Sequence, residues 1–279
     1  MKKGINVWSF RAGTSVSDCM SLAAKAGFDG IELALDEEGP VSLQSDSRLM
    51  TEIKSMASDL GLELPSLATG LYWKYSLTAN DERIRVKARD IVKKQLELAA
   101  ALGARAILVV PGLVEGQTDG RNGAVRYDVA WTRAVEALQE LKKDAEAARV
   151  IIGLENVWNK FLLSPLEMRN LIDELDSPYV GAYLDVGNVV ISGYPEQWIE
   201  ILGSRIKMVH FKDYRRDACG LAGFVDLLAG DVDFASVMSA FERVGYDDYA
   251  IAEMIPPYKQ HSEQIIYNTS GSMDRILGK

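Results

Sequence analysis

Apolar residues along the chain fall into two kinds of run that alternate from end to end. Short continuous runs of aliphatic and β-branched residues, such as VGAYL at 180–184, are followed by longer stretches whose apolar positions recur three or four residues apart. The first kind fits strands buried on both faces, and the second fits amphipathic helices laid over them. The pattern predicts strands over residues 4–8, 29–35, 63–68, 104–110, 150–154, 180–184, 206–209 and 249–252. Helices are expected over about 16–26, 47–60, 81–102, 124–148, 164–175, 194–202, 233–245 and 261–277. Gly27, Gly61 and Gly103 stand just past three of these helices, where a left-handed cap costs glycine least. Ser164 and Pro165 supply an N-cap followed by a first-turn proline.

Eight strands, each followed by a helix, with no low-complexity linker or short-period repeat, define the expected fold. It is an α/β chain in which residues 1–279 form a single (β/α)8 TIM-barrel domain, with functional groups at the carboxyl ends of the strands. A doubly wound open sheet would need a glycine-rich phosphate loop after its first strand, and Gly13–Ser15 is not one.

Composition narrows the function classes. A chain of 279 residues with 48% hydrophobic content can bury a large core, and its net charge of −9 argues against a nucleic-acid partner. No apolar run is long enough to span a bilayer and the amino terminus lacks a signal-peptide core, so no membrane partner is expected. Cys19 and Cys219 have no CxxC spacing, which fits a reducing cytoplasm. A homo-oligomer is compatible with all of this.

Candidate chemistry follows from register. Glu155, Asp185, His210 and Glu253 close the fifth to eighth strands, so a barrel brings all four to one quadrant of one rim. A lone strand-end carboxylate is commonly a loop cap or ion-pair partner, and a lone histidine is commonly a bonded core residue. Four in consecutive strands at the same terminus are another matter: three carboxylates and an imidazole converging there would repel unless a cation sat among them. Hard oxygens with one nitrogen suit one divalent ion, Mn²⁺ first, with Mg²⁺, Co²⁺ or Zn²⁺ also compatible. In the loop over 69–79, Tyr72, Trp73 and Tyr75 either wall a ligand pocket or cover the barrel end.

The segments GLENVWNKF, YLDVGN, MVHFKDYRR and AIAEM, with DGIEL and LGARAILVVPG, resemble the xylose isomerase-like superfamily of barrels over nearly the whole chain. The nearest types are the sugar and sugar-phosphate isomerases and epimerases, such as the D-tagatose 3-epimerase and L-ribulose-5-phosphate 3-epimerase kinds. The resemblance implies that Glu155, Asp185, His210 and Glu253 hold the metal and that Glu155 and Glu253 are the catalytic acid/base pair. It also implies that Arg216 contacts substrate oxygens. Asn188 stands where ketose 3-epimerases carry a substrate-binding histidine, a departure shared with the sugar-phosphate branch. Endonuclease IV has the same fold, but its three-zinc cluster needs many histidines and this chain has 2.

The implied reaction on a sugar or sugar phosphate is removal of a proton from carbon beside a metal-chelated carbonyl, through a cis-enediolate. Return of a proton to the opposite face gives an epimerase, and transfer between adjacent carbons gives an aldose–ketose isomerase. An inosose dehydratase-type lyase and a non-catalytic sugar-binding barrel are the alternatives; retention of both glutamates argues against the second. Three further residues are candidates for substrate binding. Lys212 either faces the ligand or pairs with Asp213. Lys160 either reaches a substrate phosphate or hydroxyl or is an exposed loop lysine. Glu32 either bonds a substrate hydroxyl or is paired structurally. Trp8 is expected to supply apolar wall. No serine elbow appears and neither cysteine neighbours a histidine, which leaves a nucleophilic triad without support.

Overall fold

A computed structural model describes residues 1–115, 123–255 and 258–279. Seven strands come first: β1 (Lys2–Asn6), β2 (Gly30–Leu35), β3 (Ser66–Thr69), β4 (Ala106–Val109), β5 (Ile151–Glu155), β6 (Val180–Asp185) and β7 (Ile206–Phe211). A short hairpin of β8 (Asp213–Tyr214) and β9 (Phe224–Val225) follows, and then β10 (Tyr249–Ala252). The order β1-β10-β7-β6-β5-β4-β3-β2 closes on itself, and all eight junctions between neighbouring strands are parallel. The expected single TIM barrel is therefore present. Among the described residues, no helix is long and apolar enough to cross a membrane.

Parallel neighbours require crossovers, and helices supply them. The chain carries α1 (Val16–Lys25), α2 (Ser47–Asp59), α3 (Glu82–Leu102), α4 (Tyr127–Ala148), α5 (Pro165–Leu175), α6 (Val186–Val189), α7 (Pro195–Leu202), α8 (Phe234–Val244) and α9 (Gln264–Leu277). In α3 the buried positions include Ala88, Ile91, Val92, Gln95, Leu98, Ala99 and Leu102, the stripe that periodicity predicted. Each large aliphatic side chain buried in this way contributes about 1.5–3 kcal/mol before entropy is charged against it. Ser164 and Glu167 form a reciprocal capping box at the start of α5, with Pro165 in its first turn.

Strand alternation sorts the barrel interior into layers. The register pairs Asn6 with Glu32, Glu155 with Tyr183 and Asp185 with His210, so these side chains point inward together. At the amino end of the barrel the Tyr249 ring fills the interior, and Gly30 is what lets it in. A Cβ on Gly30 would stand 3.0 Å from the Tyr249 hydroxyl and 2.9 Å from the Glu63 carbonyl oxygen. Above it lies a polar layer of Asn6, Glu32, Ser66 and Tyr183, all buried. Gly153 makes room for Tyr183, since a Cβ there would meet the Tyr183 ring at 2.9 Å. The candidate metal ligands form the top layer.

Several boundaries differ from expectation. The first strand ends at Asn6, because the Asn6 side chain accepts from the Trp8 N–H at 2.7 Å and opens a single 3₁₀ turn over Val7–Ser9. The third starts three residues late, after Pro65, which has no N–H to give a ladder. Strand β7 runs past His210 to Phe211, so the histidine lies inside the strand and not beyond its end. The β8–β9 hairpin was not expected. Asp213 explains it: its buried carboxylate accepts from the backbone N–H of Tyr214, Gly230 and Val232 at 2.9, 2.9 and 3.1 Å, gathering the long connection around itself.

The aromatic loop after β3 also resolves. Tyr72 is fully buried and donates to Gln95 Oε1 at 2.7 Å, tying the loop to α3, while the Tyr75 hydroxyl donates to Glu37 at 2.6 Å.

Candidate metal centre

The four strand-end residues meet. One ligand atom from each of Glu155, Asp185, His210 and Glu253 lies within 4.8 Å of all the others, and all four residues are buried. His210 Nδ1 stands 2.9 Å from Glu253 Oε2, 3.5 Å from Glu155 Oε1 and 4.0 Å from Asp185 Oδ2. Among the described residues, three buried atoms here find no hydrogen-bond partner: Asp185 Oδ2, His210 Nδ1 and Glu253 Oε2. Buried lone pairs without donors are costly, and a cation among them is what would satisfy all three. The donor set therefore fits a divalent ion.

Neighbouring loops hold Asp185 and the end of β10 beside Glu253 in place. Asp185 caps α6 by accepting from the Asn188 N–H at 2.8 Å, which commits Oδ1 and leaves Oδ2 for the centre. Asn156 clasps the Asp185 backbone at both ends, accepting from its N–H and donating to its carbonyl at 2.9 Å each. Beyond Glu253, the Met254 N–H donates to Ser9 Oγ at 2.9 Å, anchoring the end of β10 to the loop after β1.

Lys212 does not pair with Asp213; it lies against the carboxylates of the cluster. Its Nζ is 2.9 Å from Asp185 Oδ2 and 3.0 Å from Glu253 Oε2, and its side chain is 7% exposed. These are ion-pair approaches off the angles of a hydrogen bond, consistent with the unpartnered oxygens. Asp213, the other partner considered, is occupied by backbone donors. Phe224 of the hairpin covers the ammonium, with Nζ 5.5 Å from its ring centre, and Phe224 in turn stacks on Trp158 at 5.0 Å. The hairpin thus roofs the lysine.

The electrostatics follow from burial and these partners. Burial pushes the Glu155 carboxyl up to about 7, more than His210 and Lys212 can offset. Burial acts on Glu253 in the same sense, but Lys212 and then His210 hold it below the usual carboxylate range. For Lys212, burial disfavours the charge, yet Asp185, Glu253 and Glu155 together raise its pKa. Two carboxyls in one site are thus held apart, Glu155 upward by burial and Glu253 downward by Lys212 and His210.

Glu32 is placed differently from the substrate-contacting expectation. It is fully buried beneath the centre, and both its oxygens are taken: Oε1 by Ser66 Oγ and the Tyr183 hydroxyl, Oε2 by Asn6 Nδ2 and His210 Nε2. No lone pair is left for a substrate. Asn188 is nearly buried, with Nδ2 donating to the Asn156 carbonyl at 3.0 Å and its own carbonyl accepting from Trp158 Nε1 at 3.0 Å. Arg216 is exposed on the loop after β8; its Nε donates to the Val190 carbonyl at 3.2 Å and its guanidinium lies 5.7 Å from the Tyr194 ring centre. Lys160 pairs with Glu115 at 2.9 Å and is 66% exposed, outside the cluster. It lines, with Asn156, Trp158 and Asn188, a cleft of about 400 Å³ whose lining includes none of the four clustered residues. Trp8 is half-buried and lines a second cleft with Phe10 and Leu33.

Sequence reasoning missed Asn6, Ser66, Tyr183 and Asn156, and named Asp213 only as a partner for Lys212. Tyr183 was within reach, since it lies two residues before Asp185 on the same strand and so must share its face. Asn6 and Ser66 are polar residues in otherwise apolar runs, the same kind of signal as Glu32.

Comparison with known proteins gives the family and the fold. The family described as xylose isomerase-like TIM barrel matches residues 20–269. The chain is 28% identical over 241 residues to the Escherichia coli K12 protein named "Putative L-ribulose-5-phosphate 3-epimerase SgbU", covering 84% of this chain and 81% of that one. It is 27% identical over 212 residues to the 2-epi-5-epi-valiolone 7-phosphate 2-epimerase of an Actinoplanes species, covering 75% and 72%. The solved D-psicose 3-epimerase of Clostridium cellulolyticum H10, bound to D-tagatose, superposes with a TM-score of 0.81 at 18% identity over 100% of this chain and 99% of that one, a likeness of fold.

Proposed function

Because the chain belongs to the xylose isomerase-like TIM barrel family, we propose that it is a divalent-metal-dependent epimerase of a sugar phosphate or sugar. The names of its relatives favour a ketose phosphate of the L-ribulose 5-phosphate kind. The observation that carries the reading is the convergence of Glu155, Asp185, His210 and Glu253 to within 4.8 Å, with three of their buried atoms unpartnered. Mn²⁺ suits this set of oxygens with one nitrogen, and Mg²⁺, Co²⁺ and Zn²⁺ compete for it. A bound ion would supply Lewis-acid stabilisation for the negative charge that develops on a carbonyl oxygen when the adjacent C–H ionises.

The chain's own residues do the rest. Glu155 and Glu253 come from strands separated around the barrel by β6 and β7, so their carboxylates approach the centre from different sides. One takes the proton from carbon and the other returns a proton to the opposite face, which inverts that carbon. Lys212, buried against Asp185 and Glu253, binds a substrate oxygen beside the ion. Asn188, whose N–H bonds Asp185, and Lys160 line one cleft, which supports contacts to the far end of the substrate, with Lys160 on a phosphate. Arg216 contacts substrate oxygens from the loop after β8. The test is a panel of ketose 5-phosphates and free ketoses incubated with the Mn²⁺-loaded protein and, in parallel, with the chelated protein, with products separated by chromatography. Conversion at one carbon, abolished by chelation and restored by the ion, is expected. Absence of conversion of every member by ion-loaded protein would overturn the reading.

A further inference from the structure

We infer that Glu32 is a positioning residue that fixes the His210 imidazole with its proton on Nε2, so that Nδ1 is left as the lone pair facing the ion. This rests on the metal reading of the centre given above. His210 is fully buried, its Nε2 lies 2.8 Å from Glu32 Oε2, and its Nδ1 points among Glu155, Asp185 and Glu253 without a hydrogen-bond partner. An imidazole can ligate a metal only through a nitrogen that carries no proton, and the partner of the other nitrogen decides which one that is.

The surroundings of Glu32 leave it one role. Among the described residues its hydrogen-bond partners include no lysine or arginine, and it lies deep in the barrel, where an uncompensated charge is costly. It is held by donors alone: the Ser66 and Tyr183 hydroxyls at 2.6 Å each on Oε1, and the Asn6 amide and His210 on Oε2. A carboxylate has about four lone-pair directions, and four donors meet them. An ionised carboxylate only accepts, so the imidazole nitrogen facing it must donate, which assigns the Nε2 proton. The Tyr183 ring meets the imidazole edge-on, with ring centres 4.6 Å apart at 63°, so the ring plane is held as well as the tautomer. A carboxamide at position 32 would not do the same. Gln can turn its NH₂ toward Nε2, which would move the imidazole proton to Nδ1 and block the ligand site.

The experiment reads the ion and the proton separately. The chain has 2 histidines, and the second, His261, is exposed, so ¹⁵N spectra of the Zn²⁺-loaded protein resolve His210. The wild type should show a slowly exchanging His210 Nε2–H. In Glu32→Gln that signal should be lost or shifted, and the Mn²⁺ dissociation constant, measured by competition with a chromogenic chelator, should rise about 10- to 100-fold. A proton on Nδ1 in the loaded wild type would overturn the inference without any variant, even if Glu32→Gln fails to fold. So would a folded Glu32→Gln protein with wild-type affinity and an unchanged spectrum. Failure of the wild type to take up any divalent ion would instead sink the metal reading itself.

Discussion

Replacing Lys212 with Met should destabilise the protein far more without a divalent ion than with one. The Nζ lies 2.9 Å from Asp185 Oδ2 and 3.0 Å from Glu253 Oε2 with the side chain 7% exposed, so Met removes the one ammonium buried against two carboxylates while keeping most of the stem. Removing one partner of a buried ion pair costs about 3–5 kcal/mol, because the other charge is left uncompensated. Glu155 moderates this: with its carboxyl pushed up to about 7 by burial, it can keep a proton near neutrality, which lowers the total negative charge. The lower end, ~3 kcal/mol, is therefore expected. In a chain of this size 1 kcal/mol moves the melting temperature by roughly 2–4 °C, so the drop should be about 6–12 °C. The assay is thermal unfolding at pH 7.5 in chelator and again in saturating Mn²⁺. With the ion present, the carboxylates have a second counter-charge, and the drop should fall to about half or less. An equal drop in both conditions, or none in chelator, would refute the electrostatic account of the site.

Three further outcomes are expected. Arg216→Ala should raise KM or lower kcat while the melting temperature moves by no more than about 2 °C, since the side chain is exposed and is held by the Val190 carbonyl and the Tyr194 ring; a large thermal loss with normal kinetics would mark it as structural. Asp213→Ala orphans three backbone donors in the loop that roofs Lys212, so a loss of about 1–3 kcal/mol and faster proteolysis between β8 and α8 are expected, and intact protease resistance would contradict this. Burial, aided by Asp18, pushes the Cys19 thiol up to about 11, and only the thiolate is nucleophilic, so iodoacetamide at pH 8 should modify exposed Cys219 and spare Cys19; mass spectrometry of native protein showing equal modification would contradict it.

What the sequence disclosed and what it hid divide along physical lines. The barrel was legible because its strands are buried on both faces and its helices on one, which writes two different periods into the chain. The four clustered residues were legible because each follows an apolar run, and a closed parallel barrel brings all strand ends to one rim. Lys212 was ambiguous in sequence because the same side chain can turn toward Asp213 or toward Asp185; the backbone donors that occupy Asp213 come from Tyr214, Gly230 and Val232, and no local pattern announces them. Glu32 was visible as a charge in a strand, but its role depends on Asn6, Ser66, Tyr183 and His210 from four other strands. The β8–β9 hairpin is two residues on each side, too short for an alternating pattern to form.

The central claim is that Glu155 and Glu253 pass a proton through solvent-exchangeable positions at a carbon beside a carbonyl. Its most direct test is deuterium incorporation in D₂O, followed by mass spectrometry and NMR, with the ion-loaded wild type and the Glu155→Gln and Glu253→Gln variants acting on a substrate found in the ketose phosphate panel. The wild type should place one deuterium at the inverted carbon, and each variant should lose turnover by about 10²- to 10⁴-fold, as expected for a missing general acid or base. A single variant should still exchange label into the epimer that its remaining carboxylate can deprotonate, without converting it to the other. Inversion without deuterium at that carbon, or full conversion by both variants, would contradict the account.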